Sequence, residues 1–103
     1  MLNQKKIFNL LGLARRAQKL AFGAEAVLQG VKRKEIHLII FATDASPNLQ
    51  KKIKAAAGDL NICYLGSRSE LGDFAGRETL GVIGVKDISF AKGILNLVDT
   101  TTE

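Results

Sequence analysis

Gly23-Ala24-Glu25-Ala26-Val27-Leu28-Gln29 leads without a gap into Lys32-Arg33-Lys34, the apolar run Ile36 to Ala42, and Asp44-Ala45-Ser46-Pro47. The order reads as a glycine-opened helix, a basic helix end, a buried strand and a capped second helix. The chemistry of such a helix mouth is anion binding. Its first N–H groups lack partners within the helix, and the positive end of the helix dipole faces out. A phosphate backbone suits that seat. Arg77, a cation in a loop just after Gly76, can reach a phosphate or stack on a base.

Other reactive side chains have simpler roles. His37 is the sole histidine and opens a buried strand, with no nucleophile or metal partner in the nearby pattern. Cys63 lies between Ile62 and Tyr64 and reads as a small apolar side chain within a strand. One cysteine also excludes an internal disulfide and a cysteine-rich metal site. No phosphate-loop motif is present, and Gly81-Val82-Ile83-Gly84 is too sparse for a dinucleotide fingerprint. Asp44, Asp59, Glu70, Asp73 and Glu78 are scattered, and Ser67 with Glu70 has the spacing of a capping box. The reading is of a non-enzymatic chain, with no catalytic residue, cofactor or metal site.

The net charge of +5 is unevenly divided. Residues 1–54 hold eleven Lys/Arg and three Asp/Glu, a net of +8, while residues 55–103 hold four and seven, a net of −3. One basic surface follows, the footprint of RNA, DNA or another anionic partner. Lys51, Lys52 and Lys54 read as a solvated helix face. The start of the chain faintly imitates a signal peptide, but Gly12 and Arg15-Arg16 interrupt the apolar stretch, and an amphipathic helix explains it better. No run approaches the roughly twenty apolar residues of a membrane span. A reducing, cytoplasmic location is expected.

The elements follow from periodicity and caps. Residues 4 to about 17 form a helix with Ile7, Leu10, Leu11 and Ala14 on one stripe. Lys19-Leu20-Ala21-Phe22 is a short extended link. The helix after Gly23 buries Ala24, Val27, Leu28 and Val31, and Lys32-Arg33-Lys34 complement its negative end. Strands are expected over Ile36–Ala42, Asn61–Leu65 and Thr79–Val85. Helices are expected over Pro47–Ala57, closed by Gly58; from Ser67 to Gly76; and from Asp87 to about Val98. The alternation predicts an α/β chain: a three-layer α/β/α sandwich with a small mixed sheet. It forms one domain over residues 1–99, with 100–103 as a frayed tail.

Two ordered patterns carry a resemblance over roughly residues 10–97. The first is Gly23, Val31, Arg33, Leu38-Ile39-Ile40, Ala42-x-Asp44 and Pro47. The second is Leu71-Gly72-x-x-Ala75-Gly76 running into Arg77-Glu78-Thr79. In these the chain resembles the kink-turn RNA-binding ribosomal protein family typified by the archaeal large-subunit protein L-seven-Ae. Leu11-Gly12-Leu13-Ala14-Arg15-Arg16-Ala17 points to its small bacterial YlxQ-like branch.

The resemblance implies a sandwich that binds sharply bent RNA, with structured RNA as partner and ribosomal RNA as one candidate. A ribosomal or RNA-associated protein is a further expected partner. The RNA-contact set it implies is Lys19, Gly23, Ala24, Glu25, Ala26, Gln29, Lys32, Arg33, Arg77, Glu78 and Thr79. The archaeal pattern places threonine, asparagine and glutamate after the glycine, then two variable residues and lysine. Here Ala24, Glu25 and Ala26 take the first three places and Gln29 the last. An ionised Glu25 only accepts hydrogen bonds and competes with phosphate for the helix dipole. Gly23, Glu25, Leu71, Ala75 and Gly76 also have plain roles in capping and packing, and Gln29, Lys32 and Arg33 remain open to both readings. The altered mouth leaves a second function class in view: a protein-interaction module on a retained RNA-binding fold.

Overall fold

Ile7, Leu11 and Ala14 recur at helical spacing and are buried, which seats the first helix, α1 (Gln4–Arg16), on the core. The computed structural model describes residues 4–101. After α1 come β1 (Leu20–Phe22), α2 (Ala24–Lys32), β2 (Leu38–Phe41), α3 (Pro47–Ala57), β3 (Asn61–Tyr64), α4 (Arg68–Ala75), β4 (Val82–Val85) and α5 (Ile88–Thr101). The strands form one sheet in the order β1-β4-β2-β3, with β2 and β3 parallel and the other two pairings antiparallel. β2 and β4 are central and buried throughout, as the near-continuous apolar run into Ala42 required. α1 packs with α5 on one side of the sheet, and α2 with α3 on the other. The expected α/β/α sandwich with a mixed sheet is the architecture.

Several boundaries differ from the sequence reading. The expected link at Lys19–Phe22 contains a strand: Leu20, Ala21 and Phe22 pair with Val85, Gly84 and Ile83. Three residues are too few to display an alternating pattern, so only the pairing reveals them. The strand expected from Thr79 begins at Val82, because the residues before it fold back to the start of α4, where the Leu80 N–H donates to the Arg68 carbonyl. α5 continues to Thr101, past the expected end near Val98. Thr102 and Glu103, the rest of the expected tail, lie outside the described residues. In α2, Val27 is buried, while Ala24, Leu28 and Val31 are half-buried. The closest approach is at Gly30 instead, where a Cβ would lie 2.7 Å from Ile36 Cδ1. A Cβ on Gly84 would lie 2.9 Å from the same methyl and 3.3 Å from Val27 Cγ2, so Gly84 serves the packing of α2 on β4.

The helix starts are capped as expected. Ser46 Oγ accepts from the Leu49 N–H, Ser67 and Glu70 form the complete capping box, and Asp87 Oδ2 accepts from the Phe90 N–H. Asp44 Oδ1 also accepts from the Arg68 N–H at 2.7 Å, which ties the loop after β2 to the start of α4. Three helix ends share one motif. Gln18, Lys34 and Gly76 each have positive φ, at 60°, 60° and 74°. After each, the next N–H reaches five residues back: Lys19 to Ala14 O, Glu35 to Gly30 O and Arg77 to Gly72 O. These are Schellman ends, and only one of the three uses glycine. Gly58 also has positive φ, but ψ of −119° takes it out of the left-handed helical region expected for it.

Cys63 is buried in β3, and burial pushes its thiol up from 9.0 to about 11. At about pH 8 the folded chain then carries about 100-fold less thiolate than the unfolded one. Native protein should resist iodoacetamide until denaturant is added; equally fast alkylation in both states would contradict this. The unfolded thiol ionises first, so the stability this group contributes is intact below pH 9.0 and lost as pH rises through about 11.

Candidate nucleic-acid interface

Gly23 opens α2 with φ 91° and ψ 164°, a region that glycine enters without steric cost. Its N–H donates to the Val82 carbonyl at 3.1 Å, and its own carbonyl accepts from the Val27 N–H at 3.0 Å. The helix mouth is thereby hung from the central strand β4. No side chain caps it, so its first N–H groups face outward. Above it lies Arg77. Nη1 of Arg77 would be 3.3 Å from a Cβ on Gly23, and its guanidinium lies 5.8 Å from the Phe22 ring centroid. Phe22, Gly23, Ala24, Glu25, Ala26, Gln29 and Arg77 together line an open groove of about 510 Å³.

Arg77 owes its position to the second sequence pattern. Leu71 is fully buried and anchors α4. Gly72 lets the following loop fold back on the helix, since a Cβ there would lie 2.7 Å from Glu78 O, 2.8 Å from Arg77 O and 2.8 Å from Thr79 Cα. Gly76, left-handed, turns the chain so that Arg77 points back towards Phe22. Arg15 takes a second position against Phe22, 6.0 Å from the centroid, and its Nη1 donates to the Phe74 carbonyl at 2.7 Å. Phe74 meets Phe22 edge-on at 6.2 Å. The rim loop, the end of α1 and β1 therefore converge on one ring.

The structure thus gathers Gly23, Ala24, Glu25, Ala26, Gln29 and Arg77 at one groove. Lys32 lines an adjoining groove with Glu25, Leu28 and Gln29. Arg33 lines another, which shares Phe22, Ala26, Gln29 and Arg77 with the first. Lys19, Glu78 and Thr79 are exposed but line none of these grooves. Sequence reasoning missed Phe22 and Lys86 as lining residues. Phe22 carried one signal, its place directly before Gly23; Lys86 carried none, because its position depends on the pairing of β1 with β4. Lys51, Lys52 and Lys54 are exposed on α3, as expected, with Lys54 Nζ 5.8 Å from the Tyr64 ring centroid. Among the described residues the sole ion pair joins Arg68 to Asp44 at 3.6 Å, so the cations around α2 are not neutralised by a carboxylate. Among those residues no His, Cys, Asp and Glu cluster could hold a metal ion, and no helix is long and apolar enough to cross a membrane.

The chain is a mixed-sheet sandwich whose glycine-opened helix faces a glycine-built rim. The model of the ribosomal protein L7Ae/L30e/S12e/Gadd45 family matches residues 5–93, and the chain belongs to that family. It is similar to the RNA-binding protein YlxQ of Bacillus subtilis (strain 168), at 34% identity over 94 residues, 89% of this chain and 94% of the relative. The RNA-binding protein YlxQ of Enterococcus faecium is 33% identical over 99 residues, covering 94% and 95%. A solved structure of a Bacillus halodurans protein of unknown function superposes with a TM-score of 0.84 at 35% identity, covering 91% of this chain and 97% of that one. The Giardia lamblia 15.5kD RNA binding protein shares the fold, with a TM-score of 0.77 at 21% identity and coverage of 97% and 88%. The expected YlxQ-like branch is supported, and both named relatives are RNA-binding proteins.

Proposed function

We propose that this chain is a non-enzymatic RNA-binding protein that recognises sharply bent, kink-turn-like segments of ribosomal or other structured RNA. One observation carries the reading: Arg77 and the uncapped mouth of α2 face the same groove, in a family whose named relatives bind RNA. The helix N-terminus accepts a phosphate, and Arg77 supplies a second contact from the opposite rim. Glu25 and Gln29 border the groove with few donors, so affinity comes mainly from the backbone rather than from base edges.

Binding should be measured for a kink-turned RNA and a matched straight duplex at about 50 and 200 mM salt. The expected result is tighter binding to the bent RNA and a steep loss with salt. Glu25→Asn, which restores paired donor and acceptor groups, should strengthen binding to the bent RNA more than to the duplex. Equal affinity for both RNAs would remove kink recognition, and no binding at low salt would remove RNA binding itself. The methyl groups of Ala24 and Ala26 favour a second reading, a protein-interaction module on this fold. Co-purification of a ribosomal or RNA-associated protein that survives RNase treatment would support it.

A further inference from the structure

Beside the mouth groove runs a second groove of about 240 Å³ past β1, the edge strand that pairs only with β4. The two are continuous through Phe22, Ala26, Gln29 and Arg77. Arg33, Arg77 and Lys86 bring three cations to it from the end of α2, the rim loop and the residue after β4; Glu35 is its one acid. None of the three cations has a carboxylate partner among the described residues. The backbone of Lys86 is held by its N–H, which donates to the Lys19 carbonyl at 2.7 Å as β4 leaves its pairing with β1. Half-buried Lys86 thus lines a groove with an excess of positive charge.

We infer that this second groove takes a further stretch of phosphodiester backbone from the same RNA, with Lys86 as a contact outside the helix mouth and its rim. The inference rests on the RNA-binding reading and extends its surface. Three cations against one carboxylate favour a polyanion. Continuity with the mouth groove favours the strand already docked there, because Arg77 lines both grooves and an RNA leaving the mouth passes directly into the second. Contacts of this kind fix the register of the RNA and carry no base preference.

The test compares wild type, Lys86→Gln, Lys86→Arg, Arg77→Gln and Lys52→Gln for binding to a kink-turned RNA at about 50 and 200 mM salt. Each phosphate contact contributes about 0.7–0.9 to the slope of log affinity against log salt, so losing one shrinks the drop between those concentrations about threefold. Lys86→Gln should bind about 3- to 10-fold more weakly at low salt with that shallower slope, and Lys86→Arg should restore the slope. The same change should appear with a kink-turned RNA of different base sequence. Lys52→Gln, on the exposed face of α3, should leave the slope unchanged. If Lys86→Gln keeps wild-type affinity and slope while Arg77→Gln loses affinity, the second groove is unused and the RNA-binding reading survives. If Lys86→Gln and Lys52→Gln weaken binding equally, the effect is general charge and the inference fails. If wild type binds no kink-turned RNA at low salt, both fall.

Discussion

Replacing Arg77 with glutamate should weaken binding to a kink-turned RNA by about 100-fold. The guanidinium is placed over the mouth of α2 and on the face of Phe22. A charge-assisted hydrogen bond to phosphate contributes about 1.5–3 kcal/mol, and a carboxylate in its place adds repulsion from the phosphate. Arg77→Gln removes the charge without that repulsion and should cost about tenfold. Stability should change little, because Arg77 is exposed and its contact with Phe22 contributes about 0.5–1 kcal/mol. The measurement is a binding isotherm beside a thermal melt. An intact fold with undiminished affinity would show that the rim does not touch RNA.

The second large effect is on folding. Gly72→Ala should destabilise the chain by about 2–3 kcal/mol, because the three atoms nearest the new methyl group belong to the backbone of Arg77, Glu78 and Thr79. No rotamer change can relieve that contact, so α4 and the rim must separate. For a domain of this size the melting temperature should fall by about 10–20 °C. RNA affinity should fall as well, through displacement of Arg77. Gly12→Ala is the matching control: nothing lies within 4 Å of its added Cβ, and it lies inside α1. Relief of the glycine penalty there should stabilise the chain by about 0.5–1 kcal/mol. Equal melting temperatures for the two variants would refute the packing account of the second pattern.

Much of this architecture was legible in local signals. Ser46 with Pro47, Ser67 with Glu70, and Asp87 mark helix starts through contacts that span three residues, and the structure makes each of them. The apolar run from Ile36 marked the central strand β2 because burial on both faces removes polar residues from it. Elements defined by long-range pairing were not legible. β1 is three residues long, and β4 rather than its own composition makes it a strand. The site divides in the same way. The mouth residues from Gly23 to Gln29 are neighbours along one helix and were found together. Arg77 joins them through Gly72 and Gly76, which the second pattern contained. Phe22 and Lys86 enter by way of the β1–β4 pairing, and no spacing in the chain announces it.

The three like helix ends have an entropic consequence. Lys19 and Arg77 occupy the same position in two of them, each with its N–H bonded to a carbonyl five residues earlier. A cation on an unanchored loop must give up backbone freedom when it meets a phosphate, at about 1–2 kcal/mol per residue. Where the peptide unit is already tied to a helix end, the loss is confined to side-chain rotamers, about 0.5–1.5 kcal/mol for each immobilised chain. The helices therefore do more than support the rim: ordering that would otherwise oppose association has already been completed during folding.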